Sequence, residues 1–134
     1  MIILTVTCNS AGGQPVSLEN MKAVSAMARE YGIPVVIDGG RFAEDAYFIQ
    51  KREPGCEHLS IRNIVLEMMG CADAMTMSSK KDAIVNIGGF IALRSEELFR
   101  KAAVFNILFE GYITYGGMAG RDMNALAIGL YEGT

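Results

Sequence analysis

The chain begins with a run, Ile2-Ile3-Leu4-Thr5-Val6-Thr7, that is almost continuously apolar and β-branched, with no clean polar alternation. A strand of that kind is covered on both faces, which is the habit of a parallel sheet. Parallel neighbours need a long crossover between them, and the next residues supply one. Asn9-Ser10-Ala11-Gly12-Gly13-Gln14-Pro15 breaks the strand, and Ser17 is placed to cap a helix. Leu18, Met21, Val24 and Ala28 share one helical face, and Gly32 offers a left-handed stop. Pro34 to Ile37 then resumes β-branched residues. Residues 2 to 37 therefore read as a βαβ unit with a right-handed crossover.

The same grammar continues downstream. Residues 42 to 52 read as a helix ended by Glu53-Pro54-Gly55, and Ser60 is set to cap a second helix carrying Ile61, Ile64, Val65 and Met68. A third strand is expected near residues 73 to 77. Ala83 to Val85 and Phe90 to Leu93, separated by Gly88-Gly89, read as a short β pair at the sheet edge or as an antiparallel member. Ser95 opens a helix through Phe109. Residues 111 to 117 form a loop rich in glycine and tyrosine, and Met118 to Tyr131 is the last helix. No internal repeat, linker or low-complexity tract interrupts this order.

Open α/β sheets bind ligands beyond the carboxyl ends of their strands. Asn9, Asp38 and the segment Ser78-Ser79-Lys80-Lys81 all fall there. A lysine at the end of a buried strand can be held partly desolvated, so that its amine bonds a carbonyl instead of remaining a solvated ammonium. Asp38, followed by Gly39-Gly40-Arg41, adds a carboxylate and a guanidinium at the neighbouring strand end. A reactive lysine with an acidic partner for a pyridinium nitrogen is the requirement of pyridoxal phosphate chemistry. Plainer readings exist for each part. Paired lysines commonly mark a solvated turn, and an Asp before two glycines can simply form a turn. Ala11-Gly12-Gly13 suggests a phosphate cradle but matches neither the dinucleotide fingerprint nor the P-loop. His58 sits in a polar stretch expected at the surface, and the methionines at helical spacing suit core packing.

Charge and cysteine usage narrow the partners. Fifteen acidic against twelve basic side chains give a formal charge of −3, which offers no electrostatic grip on nucleic acid or anionic lipid. With 51% apolar residues and no run as long as a bilayer span, the chain reads as globular, with no membrane partner. Cys8, Cys56 and Cys71 are odd in number and widely spaced, so reduced thiols in a cytoplasmic setting are expected rather than a disulfide scaffold or zinc site.

Several long segments carry a resemblance. Thr7-Cys8-Asn9-Ser10-Ala11-Gly12-Gly13-Gln14-Pro15-Val16-Ser17 and Asp38-Gly39-Gly40-Arg41-Phe42-Ala43-Glu44-Asp45-Ala46-Tyr47-Phe48-Ile49 closely resemble the β-eliminating lyases, the family of tryptophanase and tyrosine phenol-lyase. So do Met77-Ser78-Ser79-Lys80-Lys81-Asp82 and Tyr115-Gly116-Gly117-Met118-Ala119-Gly120-Arg121-Asp122-Met123. The resemblance runs essentially end to end. It implies an α/β fold: the central part of the large, cofactor-binding domain of a fold-type I (aspartate aminotransferase-like) pyridoxal 5'-phosphate enzyme, with a mostly parallel sheet and flanking helices. It also implies a potassium-activated (K+), cytoplasmic homotetramer acting on a small amino-acid substrate.

Position by position, the resemblance makes Lys81 the lysine that bonds the cofactor and Asp38 the partner of its pyridine nitrogen. Asn9 and Arg41 fall near the phenolic oxygen, Ser78 on the phosphate, and Lys80 beside the reactive lysine as a tuning neighbour. Asn86 matches a residue whose backbone carbonyl binds the monovalent cation, and Tyr115 a tyrosine that reaches the site across a subunit interface. Arg41-Phe42-Ala43-Glu44 and Ile33-Pro34-Val35-Val36 look more like tryptophanase, with indole leaving. Asn86-Ile87-Gly88-Gly89-Phe90 and the Ala119 to Met123 stretch also occur in tyrosine phenol-lyase. The resulting expectation is a tryptophanase, the alternatives being tyrosine phenol-lyase and a catalytically silent α/β module.

One departure stands out. Where the family carries a pair such as Ser-Ala or Ala-Thr, this chain has Gly39-Gly40, which removes side-chain contacts beside the cofactor ring and loosens the backbone. In addition, the 134 residues lack counterparts of the phosphate loop, the ring-stacking aromatic and the small C-terminal domain with its carboxylate-binding arginine. Residues 1–134 are thus expected to be part of one large domain, incomplete for activity alone and with apolar faces left uncovered.

Overall fold

A computed structural model describes residues 1–134. Strands β1 (Ile2–Thr5), β2 (Val35–Asp38) and β3 (Ala74–Ser78) pair in parallel, and β4 (Gly89–Leu93) lies antiparallel on β3, giving the order β1-β2-β3-β4. The register aligns Leu4, Ile37, Met75 and Ala92 in one row and Thr5, Asp38, Thr76 and Ile91 in the next. Successive residues of a strand point to opposite faces, so Ile37 and Asp38 serve different sides of the sheet.

The Ile37 side is the core. Helices α1 (Leu18–Glu30), α2 (Phe42–Arg52) and α3 (Ile61–Gly70) place Leu18, Met21, Ala46, Ile49, Ile64 and Met68 in one cluster with Ile37. Sealing an Ile or Leu side chain from water stabilises the fold by about 1.5–3 kcal/mol, so this cluster holds the three parallel strands to their helices. Local signals fix the helix starts. The Ser17 hydroxyl accepts from the Asn20 amide at 3.1 Å and the Ser60 hydroxyl from the Asn63 amide at 3.2 Å. Gly32 adopts φ 62 after α1, where a side chain would be strained.

The second half has less cover. Helix α4 (Glu96–Phe109), capped by Ser95 through the Leu98 amide, turns back along β4, and α5 (Gly120–Glu132) follows the 111–117 loop. One expected element is corrected: residues 83–85 form no strand, the chain turning at Asp82 and Ala83 and running irregularly through Val85. The antiparallel partner of β4 is β3 itself, with Met77 opposite Phe90. The Ser79 amide already closes the loop onto the Gly88 carbonyl at 2.9 Å. The intervening backbone therefore folds on itself, with the Ile84 amide donating to Lys81 and Ile84 at φ 57.

Candidate active site

Three strand ends meet at one edge of the sheet. After β1 the chain turns at Thr7, which sits at φ 47 and is held by Asp45. The fully buried Asp45 Oδ1 accepts from the Thr7 amide at 3.2 Å, the Thr7 hydroxyl at 3.1 Å and the Val16 amide at 2.9 Å. Burial pushes the Asp45 carboxyl above its ordinary value, against the lowering effect of these donors. The pinned loop leads into a short 3-10 turn, Asn9–Ala11, with Asn9 exposed. The Arg41 Nη1 donates to the Thr7 carbonyl at 3.4 Å. Asn9 and Arg41 thereby face a shared open cleft of about 660 Å³, with Gly13, Tyr47 and Ile61 among its walls.

Next to this cleft, β2 ends at the half-buried Asp38, and β3 delivers Ser78, Ser79, Lys80 and Lys81. Lys81 is half-buried and lies across the β2–α2 turn. A methyl built on Gly40 would stand 2.9 Å from its Cδ and 3.2 Å from its Nζ. Glycine at 40 is therefore what lets the lysine stem approach the turn, and a larger residue would require it to shift. Lys80, by contrast, is exposed. Neither Asp38 nor Lys81 takes part in any salt bridge of the molecule. Two half-buried ionisable groups, converging on one turn and left without ionic partners, suit a bound third group.

Asp82 ties these segments together. Its amide donates to the Gly40 carbonyl at 3.2 Å, and its Oδ2 accepts from Ala43 at 2.7 Å and Glu44 at 2.9 Å. The first turn of α2 has no cap of its own, since the Arg41 side chain makes no capping bond. Helix α5 closes the other side. A methyl on Gly129 would overlap the Ala83 carbonyl oxygen, and one on Gly133 would stand 2.7 Å from the Asp82 carbonyl oxygen.

Neither of the remaining expected site residues, Asn86 and Tyr115, lines the cleft shared by Asn9 and Arg41. Asn86 is exposed in the loop before β4. Tyr115 is 49% exposed and lines a different cleft, of about 320 Å³, with Phe90 and Met118. His58 is at the surface, the three cysteines are free, and burial raises the Cys56 and Cys71 thiols. No cluster of histidine, cysteine and carboxylate side chains is arranged to hold a metal. Asp45 and Asp82 are the two organising residues the sequence reading passed over. Asp45 had a signal: Phe42, Asp45, Ala46 and Ile49 form one apolar helix face with a carboxylate in it. Asp82 had none, because its partners are 39 and 38 residues away.

Solved structures share this mostly parallel, open α/β fold. A putative aromatic amino acid β-eliminating lyase/threonine aldolase from Exiguobacterium superposes with a TM-score of 0.69 at 20% identity, covering 97% of this chain and 32% of that one. A putative L-allo-threonine aldolase from Listeria monocytogenes gives 0.66 at 21%, with the same coverage. The fold-type I architecture is thus the one expected from the sequence.

Sequence relations go further. The β-eliminating lyase family model matches residues 1–130. The chain is 57% identical over 133 residues to a probable β-eliminating lyase of Trichomonas vaginalis. It is 54% identical over 132 residues to a tryptophanase of Salinibacter ruber and 53% over 131 to a tyrosine phenol-lyase of Clostridium tetani. The chain belongs to the β-eliminating lyase family. These alignments take in 98–99% of this chain but only 28–29% of each relative's length.

Proposed function

We propose that the chain supplies the cofactor centre of a pyridoxal phosphate-dependent lyase that eliminates the side chain of an aromatic amino acid, with tryptophan and water as substrates and indole, pyruvate and ammonium as products. The observation that carries this reading is the lysine stem laid over Gly40, two residues beyond Asp38, with both charges half-buried and free of salt bridges. Pyridoxal phosphate, when bound, withdraws electrons from the α-carbon of an amino acid. Asp38 would keep a proton on the pyridine nitrogen, an ionised carboxylate favouring the cationic ring. Lys81 would hold the cofactor's aldehyde carbon and, once displaced by the substrate amine, take the α-proton on its Nζ. Asn9 and Arg41 would flank the phenolic oxygen, Ser78 would donate to the phosphate, and Lys80 would tune the site from outside.

On the same reading Asn86 offers its carbonyl to a potassium ion. Tyr115 would serve a neighbouring subunit of a cytoplasmic homotetramer, consistent with its place in a different cleft. Residues 1–134 would then form part of the large domain, the rest of the site coming from elsewhere in a longer subunit. Tyrosine phenol-lyase is the second reading, because relatives bearing the two names stand at nearly equal identity, 54% and 53%.

The test is the absorbance of the purified protein with pyridoxal phosphate, before and after borohydride, with mass mapping of the labelled lysine. A reducible band mapped to Lys81 is expected, whereas scattered surface labelling or no band would overturn the assignment in favour of a silent module. Indole release from tryptophan against phenol release from tyrosine by a complete subunit separates the two substrates.

A further inference from the structure

We propose that Asp82 is a positioning residue whose carboxylate, by capping α2 from a distance, decides that Lys81 and not the adjacent Lys80 is presented at the strand-end site. The inference rests on the cofactor reading above but goes beyond it, since nothing in that reading explains how one of two neighbouring lysines is selected. The chemistry of Lys80 and Lys81 is identical, so the choice must be made by the backbone.

Asp82 sets that backbone. Its amide is bonded to the Gly40 carbonyl, and its Oδ2 takes the Ala43 and Glu44 amides at 2.7 and 2.9 Å. Those are the second and third residues of α2, the amides a capping side chain ordinarily satisfies. The positive end of the helix favours a carboxylate there. One residue therefore clamps the lysine segment to the β2–α2 turn at two points, the Gly40 carbonyl and the first turn of α2. With Asp82 fixed, Lys81 lies against Gly40 while Lys80 is exposed. The close approach of α5 through Gly133 to the Asp82 carbonyl leaves this segment little room to rotate.

Reductive methylation with formaldehyde and cyanoborohydride, mapped by mass spectrometry, reads the selection without any pyridoxal phosphate. In the unaltered protein Lys80 should react faster than Lys81. In Asp82→Ala the contrast should collapse, and exchange of the Ala43 and Glu44 amides should quicken by roughly tenfold, the loss of about one charge-assisted hydrogen bond. Asp82→Asn keeps an acceptor and should retain most of the contrast. Asp82→Glu displaces the carboxylate by one methylene and should lose it even where the fold survives. Wild-type lysine contrast in a folded Asp82→Ala or Asp82→Glu protein would overturn the proposal. Labelling by pyridoxal phosphate and borohydride, run beside it, should redistribute from Lys81 toward Lys80 in Asp82→Glu. If that label never reaches Lys81 in the unaltered protein, the cofactor reading fails, while an Asp82-dependent methylation contrast still supports the pin.

Discussion

Residues 1–80 and 81–134 obey different physics. Of the 24 buried residues, only Ala83 and Gly129 lie beyond Lys80. In the first region each helix delivers an apolar stripe to Ile37 and its neighbours. In the second, α4 is just as apolar in composition yet buries none of its residues, and Val104, Phe105, Leu108 and Phe109 stand more than 60% exposed. Helix α4 exists because local signals specify it: the Ser95 cap and the paired Glu96 with Arg100 and Glu97 with Lys101. Exposed pairs of that kind add little stability. The contrast teaches that capping and periodicity decide where a helix forms, whereas burial decides what it contributes.

The sharpest way to break this contrast is a pair of truncations. Ile37→Ala empties the core under three helices and should lower unfolding free energy by about 2–5 kcal/mol. Leu108→Ala, on the open face of α4, should change it by no more than about 0.5 kcal/mol. Urea unfolding of both variants measures this directly, and a comparable loss from Leu108→Ala would mean that α4 is packed after all.

A second experiment addresses the tightest contact within the second region, beside the β3–β4 ladder and the Asp82 clamp that join it to the first. The buried Gly129 lets α5 meet the Ala83 carbonyl, with no room for a methyl. Alanine would otherwise favour the helix by about 1 kcal/mol over glycine, so the sign of Gly129→Ala is diagnostic. Overpacking should win, costing about 1–3 kcal/mol, and amide exchange should show the loss in α5 and the 82–84 turn while α1 and α3 stay protected. Gly120→Ala, at an open position in the same helix, should be neutral or slightly stabilising.

How much of this was legible follows the same division. Helix α2 was readable to the residue, because Arg52-Glu53-Pro54-Gly55 ends it and its apolar face has helical spacing. The capping roles of Ser17, Ser60 and Ser95 were visible for the same reason, since each acts within three residues of itself. The strand at 83–85 was misread because Ala83-Ile84-Val85 has β-type composition, and composition does not register that β4 had already taken the free edge of β3. The strand-end location of Asn9, Asp38 and Lys81 was legible from topology. Gly39-Gly40 read as a loosened site, yet at Gly40 the glycine makes room for Lys81. The clamp by Asp82 depends on contacts nearly forty residues apart, which no local pattern carries.

The smallest expected effect concerns how each region responds to acid. Asp45, buried in the first region, has its carboxyl raised above the ordinary 3.8 by desolvation. The folded state then binds its proton more readily than the unfolded state does. The stabilising contribution is present in full below the unfolded value and is lost as pH rises through the folded one. Glu97, exposed on α4, is shifted the other way by its hydrogen bond to Lys101, so whatever it contributes is present at neutral pH and lost in acid. Asp45→Asn keeps an oxygen for the Thr7 and Val16 amides but abolishes the titration. The stability difference between wild type and Asp45→Asn should therefore move in favour of wild type as pH falls below neutrality and level off below the unfolded value. A difference independent of pH would show that Asp45 holds Thr7 without being desolvated, and that the first region is less dry than its burial implies.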